Sequence, residues 1–159
     1  MLHTISIFVH AISAIAAFIV GTLMLFQNNV HRKQQLGRAL LLFLILLEVF
    51  LLLAIISHWQ SLQVITQVTF AGLAILGLYM IWRAVQALTI LTKQNQEDQL
   101  KVIDHVGFVL ISLFDGFAIV SAIDLQAPGW LVAVIAVGAV GIGIYGINLQ
   151  KKTLKIQNM

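Results

Sequence analysis

The stretch that decides the fold is residues 39–57, ALLLFLILLEVFLLLAIIS, in which every position except Glu48 and the final Ser57 is apolar. A helix rises about 1.5 Å per residue, so roughly 20 apolar residues are needed to cross about 30 Å of hydrocarbon. This run therefore predicts a transmembrane helix with a single charge, Glu48, at its centre. An ionisable residue at that depth is rare and needs an explanation.

The composition extends the membrane prediction to the whole chain. Of the 159 residues, 60% are hydrophobic and 9% are charged, whereas a soluble domain carries about 25% charged residues. This scarcity of polar surface excludes a disordered chain and an ordinary water-soluble enzyme. The chain has no Cys, which excludes disulfides, thiolate metal sites and thiol nucleophiles. Its basic residues form no stripe interleaved with aromatic residues, so no binding to nucleic acid is expected.

Four further apolar stretches have the length of a membrane span. Polar or turn residues bound them: Gln27-Asn28-Asn29 ends the first and Pro128-Gly129 precedes the last. The prediction is an all-α integral membrane bundle that forms a single domain, residues 1–159. Its five transmembrane helices are expected at residues 2–26, 39–57, 64–88, 106–123 and 130–149.

The basic residues predict the orientation of this bundle. The first and third connections and the tail carry Lys or Arg, and the second and fourth connections carry none; the residues on the basic side are Arg32, Lys33, Arg38, Arg83, Lys93, Lys101, Lys151, Lys152 and Lys155. By the positive-inside rule the N-terminus lies outside and the C-terminus in the cytoplasm. On that face the bases would attract anionic lipid with about 1 kcal/mol each.

Three titratable residues on three predicted helices are expected at similar depth. Glu48 and Asp115 lie near the middle of their spans, and His10 lies roughly 10 Å into the first span. Ionisable groups at such depth usually face the interior of a bundle and mark functional sites. We therefore predict an intramembrane polar site of His10, Glu48 and Asp115, with Arg83 either pairing with one of them or snorkelling to the headgroups.

This polar site is open to several interpretations. It could relay a proton or a cation, hold a metal ion with one His and two carboxylates, or anchor a small polar ligand. In the structural alternative, each carboxylate is protonated or hydrogen-bonded to a polar side chain across the bundle. The leading hypothesis is a site that handles a proton, an ion or a small ligand in transport or sensing.

The other four histidines suggest a redox alternative. His3 and His58 are expected at the outer rim of the membrane, and His31, in a charged loop, and His105 are expected at the inner rim. Haem b with two histidine ligands needs two imidazoles at one depth, which either pair could supply. A rim histidine is more often an interfacial residue, so haem b or a quinone is the alternative cofactor hypothesis.

Two predicted helices carry stripes of small or polar residues, which let helix backbones approach closely. In the first helix the stripe consists of His3, Ser6, His10, Ser13, Ala17 and Gly21. In the fifth helix the seam consists of Ala136, Ala139, Gly143 and Gly146. The seam either packs within the bundle or forms a homodimer contact, and a third hypothesis is therefore a non-catalytic interaction protein.

His10, Gly21, His31-Arg32 and Leu36-Gly37-Arg38 form a pattern that resembles an uncharacterised family of small bacterial polytopic membrane proteins, a domain of unknown function. In that family a histidine-bearing first helix ends in a Gly turn, and a basic His-x-x-x-x-Gly-Arg loop enters the second helix. Residues 79–84 and 93–104 are similar to its second half, so the resemblance covers residues 1–120. It implies the bacterial cytoplasmic membrane and no particular activity, and the residues to which it draws attention are His10, His31, Arg38, Arg83 and Asp104. The likeness of some relatives to di-haem cytochrome b modules concerns the fold alone.

Overall fold

The computed structural model describes residues 2–61, 64–91 and 96–157, and within these residues it consists of helices and turns with no β-strand. The five long helices are α1 (Leu2–Phe26), α2 (Val30–His58), α3 (Val64–Ile90), α4 (Gln96–Asp124) and α5 (Gly129–Gln157), with a short 3₁₀ helix, Trp59–Ser61, after α2. Each long helix contains a segment long and apolar enough to cross a membrane. The prediction of an all-α protein with five such helices is confirmed.

The start of α2 differs from the prediction. The helix begins at Val30, not at residue 39, so the expectation of a charged loop at His31 is wrong. Asn29 caps the helix, because its side-chain oxygen accepts hydrogen bonds from the backbone N–H groups of His31 (3.0 Å) and Arg32 (3.2 Å). The basic residues 32–38 therefore lie on the first turns of a helix.

The other helices also extend beyond the apolar runs that predicted them, except α1. The largest extensions are at the start of α4, which begins at Gln96, and at the end of α5, which continues to Gln157. An apolar run marks only the part of a helix within the hydrocarbon, whereas helical backbone hydrogen bonds continue through polar residues as well. Hydropathy alone therefore underestimates the length of these helices.

The first four helices form a ring. Each packs against the next in the chain, and α4 packs back against α1, so α2 and α4 are diagonal partners. Neighbouring helices are antiparallel and approach closely at glycines: a Cβ atom on Gly21 would lie 2.9 Å from Leu110, and one on Gly37 would lie 2.6 Å from Leu88.

The fifth helix lies outside this ring and packs along α4. Gly107 of α4 contacts Ile147, and Gly143 of α5 contacts Ile111, so each helix supplies one glycine to the crossing. A hydrogen bond from Gln150 Nε2 to the Leu25 carbonyl (3.0 Å) also ties the end of α5 to α1.

The two ends of the bundle differ in composition. We call one the basic end, since its described side chains include Arg32, Lys33, Arg38, Arg83, Lys101, Lys151 and Lys152. Lys93 and Lys155 lie outside the described side chains. The opposite end carries Trp59 and Trp130, both exposed, and we call it the tryptophan end.

The buried core is concentrated in the half of the ring nearer the basic end, which we call the packed half. Its cluster consists of Ala17, Met24, Leu40, Leu44, Leu47, Met80, Ala84, Ala87, Leu91, Val102, Val106, Val109 and Leu113. In the half nearer the tryptophan end, no described side chain of α3 before Gly77 is buried, and none of residues 114–121 of α4 is buried. A Cβ atom added to Gly72 or to Gly116 would meet no atom within 4 Å. We call this part the open half.

Candidate intramembrane carboxylate site

Glu48 lies in α2 at the boundary between the packed half and the open half. It is 3% exposed, and neither carboxylate oxygen has a hydrogen-bond partner among the described residues. A buried polar group without a partner costs about 1–3 kcal/mol, and an ionised carboxylate costs more. Binding a proton would remove that charge, so this environment favours the neutral acid over an isolated anion.

Gly77 of α3 provides the space for this carboxylate. Glu48 Oε2 occupies the position at which a Cβ atom on Gly77 would lie, so a larger residue would displace the carboxylate. Gly77 was not among the predicted site residues, because a lone glycine in an apolar helix is typical of helix packing. The one signal in the sequence was the short connection after α2, which brings Glu48 opposite this part of α3.

His10 approaches the same level from α1. Its Nδ1 atom lies 2.9 Å from the carbonyl oxygen of Leu47, the residue before Glu48. Because a carbonyl oxygen only accepts, Nδ1 carries the hydrogen in this bond and Nε2 is the basic nitrogen of a neutral ring. The bond places His10 and Glu48 at neighbouring levels of adjacent helices.

The polar stripe of α1 continues from His10 toward the tryptophan end. Ser6 lies one turn away and is fully buried, and its hydroxyl oxygen has no hydrogen-bond partner in the described part of the chain. Toward the basic end the same face is continued by Ala17 and Met24, both fully buried. Ser13, three residues from His10 toward the basic end, is also buried, so the polar groups of this face extend from Ser6 to Ser13.

Asp115 lies on the face of α4 that packs against α5, one turn beyond Ile111, which contacts Gly143 of α5. It is half-buried, and its buried Oδ1 atom has no hydrogen-bond partner among the described residues. Arg83 of α3 contacts Asp104 of α4, and this contact gives the register of the two antiparallel helices. Eleven residues closer to the tryptophan end on each helix, Gly72 and Asp115 therefore lie at the same level. Gly72 is about 7 Å from Gly77 along α3, so Asp115 lies closer to the tryptophan end than Glu48.

The three predicted site residues are therefore not brought together: His10 and Glu48 lie at neighbouring levels of α1 and α2, and Asp115 lies on the side of α4 that faces α5. Within residues 2–61, 64–91 and 96–157, no hydrogen bond or ion pair connects His10, Glu48 and Asp115 to one another. The same residues contain no group of three His, Asp or Glu side chains arranged to hold a metal ion. The interpretation as a three-ligand metal site is not supported by this geometry.

Arg83 lies outside this site and nearer the basic end. Its Nη2 donates to the Asp104 carbonyl at 3.2 Å, and its guanidinium carbon lies 5.2 Å from the centre of the Phe108 ring. Of the two predicted outcomes, pairing with a deep acid is not seen, because Arg83 contacts neither Glu48 nor Asp115. The side chain is instead held by α4.

The rim histidines give no assembled haem site in the described structure. His31 is exposed, and its Nε2 atom lies 3.4 Å from the amide nitrogen of Gln35 on the same helix. His105 lies on α4, diagonal to α2, and its buried Nδ1 atom has no partner. The side chains of His3 and His58 lie outside the described part of the chain. Binding of haem b or quinone through these histidines stays a prediction.

The seam of α5 is divided between two environments. Ala139 is buried and Gly143 packs against Ile111 of α4, whereas a Cβ on Gly146 would meet no atom within 4 Å. Ala136 is half-buried. Packing within the bundle therefore accounts for Ala139 and Gly143, and a homodimer contact through the seam stays a prediction.

Comparison with protein-family models, curated proteins and solved structures gives no match to this chain. The resemblance to a bacterial membrane family, which depends on His10, His31 and Arg38, accordingly stays a prediction. The geometry around Glu48 is therefore the basis for proposing a function.

Proposed function

We propose that the chain is a multi-pass protein of the bacterial cytoplasmic membrane in which Glu48 is an intramembrane proton-binding site used in transport or sensing. The observation that carries this proposal is the Glu48 carboxylate, which is 3% exposed inside a ring of apolar helices and has no hydrogen-bond partner among the residues that the structure describes. Acids that face the interior of a membrane bundle usually belong to proton or ion pathways. By the positive-inside rule the basic end would face the cytoplasm.

A proton suits the surroundings of Glu48 better than a larger ligand does. The backbone of Gly77 abuts the carboxylate on α3, and the neighbouring Leu44 and Leu47 of α2 are buried in the core cluster. A proton adds no volume to this space, whereas an organic ligand would displace packed side chains. His10 on α1, which bonds to the carbonyl of Leu47, is the titratable group that approaches Glu48 among the described residues.

The distribution of polar groups indicates that protons reach Glu48 from the tryptophan end. Ser6 and His10 lie in the open half or at its boundary. On the other side, apolar residues such as Met80 and Val106 close the ring toward the basic end. Access from one side only is what a sensor of external pH or the loading site of a transporter requires.

Labelling with N,N′-dicyclohexylcarbodiimide tests the proton site, because this reagent attacks protonated carboxyl groups in apolar surroundings. We expect the purified protein to be modified at Glu48, as located by peptide mass spectrometry, and the yield to fall as pH rises. Glu48→Gln should abolish this modification, and Glu97→Gln, at an exposed acid on α4, should leave it intact. Absence of label at Glu48 in the wild type at low pH would contradict the proposal.

Single cysteines test the side of access, since the natural chain has no Cys to give background. Gly116→Cys lies three residues beyond Leu113 on the ring-facing side of α4, where a Cβ atom would meet no atom within 4 Å, and Ala87→Cys lies in the packed half. A water-soluble maleimide should modify the first variant much faster than the second, because the thiolate forms only where water is present. Equal rates would exclude a difference in water access between the two halves.

A further inference from the structure

We propose that Arg83 anchors a phosphate group between α3 and α4 near the basic end, at a site separate from Glu48 and independent of the proton-binding proposal. The phosphate would belong either to a lipid headgroup or to a soluble phosphate, which share the chemistry that Arg83 recognises.

Arg83 carries a positive charge that no described carboxylate neutralises. On α4, Lys101 pairs with both Glu97 (2.8 Å) and Asp98 (3.9 Å). The remaining acid near Arg83 is Asp104, and its carboxylate pairs with Lys151 of α5. Arg83 contacts only the backbone carbonyl of Asp104, so its charge is left for another anion.

The guanidinium of Arg83 is held in place by two aromatic rings. Its central carbon lies 5.2 Å from the Phe108 ring centre and 6.0 Å from the Tyr79 ring centre, and the two rings meet edge to face at 5.1 Å. Stacking of this kind orients the planar group without using its N–H donors. The binding group is therefore preorganised before a ligand arrives.

Most of the hydrogen-bonding capacity of Arg83 is unused in the described structure. A guanidinium has five N–H donors, and one hydrogen bond, from Nη2 to the Asp104 carbonyl at 3.2 Å, is present. Among the described residues the Nε atom has no partner, but it is buried, so the donors left for a ligand are the N–H groups of Nη1 and Nη2. A forked set of free donors matches two oxygens of a phosphate, which is the geometry of the strongest arginine–anion pairs.

The position of Arg83 along α3 corresponds to the headgroup region. The helix ends at Ile90, which places Arg83 about 10 Å from that end of the helix. Trp82 is exposed and stacks near Tyr79, with ring centres 5.3 Å apart. Aromatic pairs of this kind are enriched where a membrane helix meets the interface, so a lipid phosphate can reach Arg83 from the bilayer.

Native mass spectrometry of the purified full chain tests this site, with phosphatidylglycerol micelles in one arm and inorganic phosphate in the other. We expect the wild type to retain a bound phosphate species and Arg83→Gln to lower its occupancy about tenfold, as for loss of a charge-assisted pair. Arg83→Lys keeps the charge but loses the planar fork, so its occupancy should be intermediate. Arg32→Gln, at an exposed arginine of the basic end, is the matched control and should behave as the wild type.

A thermal unfolding series separates loss of binding from general damage to the fold. Added ligand should raise the unfolding temperature of the wild type and of Arg32→Gln but not that of Arg83→Gln. Binding in the lipid arm alone assigns the phosphate to a headgroup, and binding in both arms assigns it to a phosphate ion. Equal occupancy in the wild type and Arg83→Gln, or an equal loss in Arg32→Gln, would overturn the proposal.

Discussion

The packed half and the open half are built from the same four helices but have different interiors. In the packed half, Gly37 lets α2 approach Leu88 of α3, and buried leucine, valine and alanine side chains fill the ring. In the open half the interior contains Ser6, and the described side chains of α3 before Gly77 and of residues 114–121 in α4 are only half-buried or exposed. Membrane helices associate through side-chain fit and not through exclusion of water. A polar region can therefore adjoin a dry core along the same helices.

Glu48 is placed where these two environments meet, and we propose on this ground that a proton reaches it from one side only. Its oxygens contact the backbone of Gly77 at the first buried position of α3. One turn away in α2, Leu44 is 1% exposed and belongs to the packed core. The comparison of the two halves can be tested by substitutions that are matched along one helix.

The largest effect is expected for a cavity in the packed half. Leu44→Ala should lower the free energy of unfolding by about 2–4 kcal/mol, because the space left by the side chain loses its packing contacts. The matched variant is Ile55→Ala on the same helix, whose side chain is also buried (8% exposed) but lies in the open half. Unfolding in mixed micelles, followed by circular dichroism, measures both. Equal losses would show that the two halves do not differ in packing.

A smaller effect is expected from adding a methyl group on either side of the boundary in α3. Gly77→Ala should lower the free energy of unfolding by about 1 kcal/mol net, since overpacking against Glu48 exceeds the gain in helix propensity. Gly72→Ala should raise it by about 0.5–1 kcal/mol, because its Cβ would meet no atom within 4 Å. The same unfolding assay checks the opposite signs, and a stabilising Gly77→Ala would contradict the contact with the carboxylate.

The smallest effect concerns the cost of the carboxylate itself. Glu48→Met keeps the length of the side chain but removes the unpartnered oxygens, so the free energy of unfolding should rise by about 0.5–1 kcal/mol while carbodiimide labelling is lost. Glu97→Met, at an exposed residue of α4 paired with Lys101, should change stability by less than about 0.5 kcal/mol. If Glu48→Met instead destabilised the protein, the carboxylate would be a structural group and not a functional one.

The number and type of the helices could be predicted from the sequence, because an apolar run long enough to span a membrane has few other uses. The start of α2 could not, since residues 30–38 are polar on several sides and become helical through the cap at Asn29. The depth of Glu48 follows from its place in the apolar run. The contact of Glu48 with Gly77 depends on how α2 and α3 are rotated and how they cross, and hydropathy does not encode either.

The side-chain contacts of Arg83 could not be predicted from the sequence either. Its place near the end of the third apolar run allowed both pairing with a deep acid and snorkelling. The outcome depends on Phe108 and on the carbonyl of Asp104, which are distant in sequence and meet Arg83 only when α3 and α4 pack. The free donors of Arg83 also follow from a tertiary detail, because Lys151 of α5 occupies the nearest carboxylate.

The position of α5 outside the ring has a consequence for how the protein assembles. Each of the first four helices already has two neighbours without it, and α5 adds one long contact along α4 and a hydrogen bond from Gln150 to α1. Membrane helices enter the bilayer in chain order, so the ring can close while α5 is still being synthesised. The fifth helix then docks onto a finished surface, guided by the contacts of Gly107 with Ile147 and of Gly143 with Ile111. We expect it to be the last helix to dock and the first to separate.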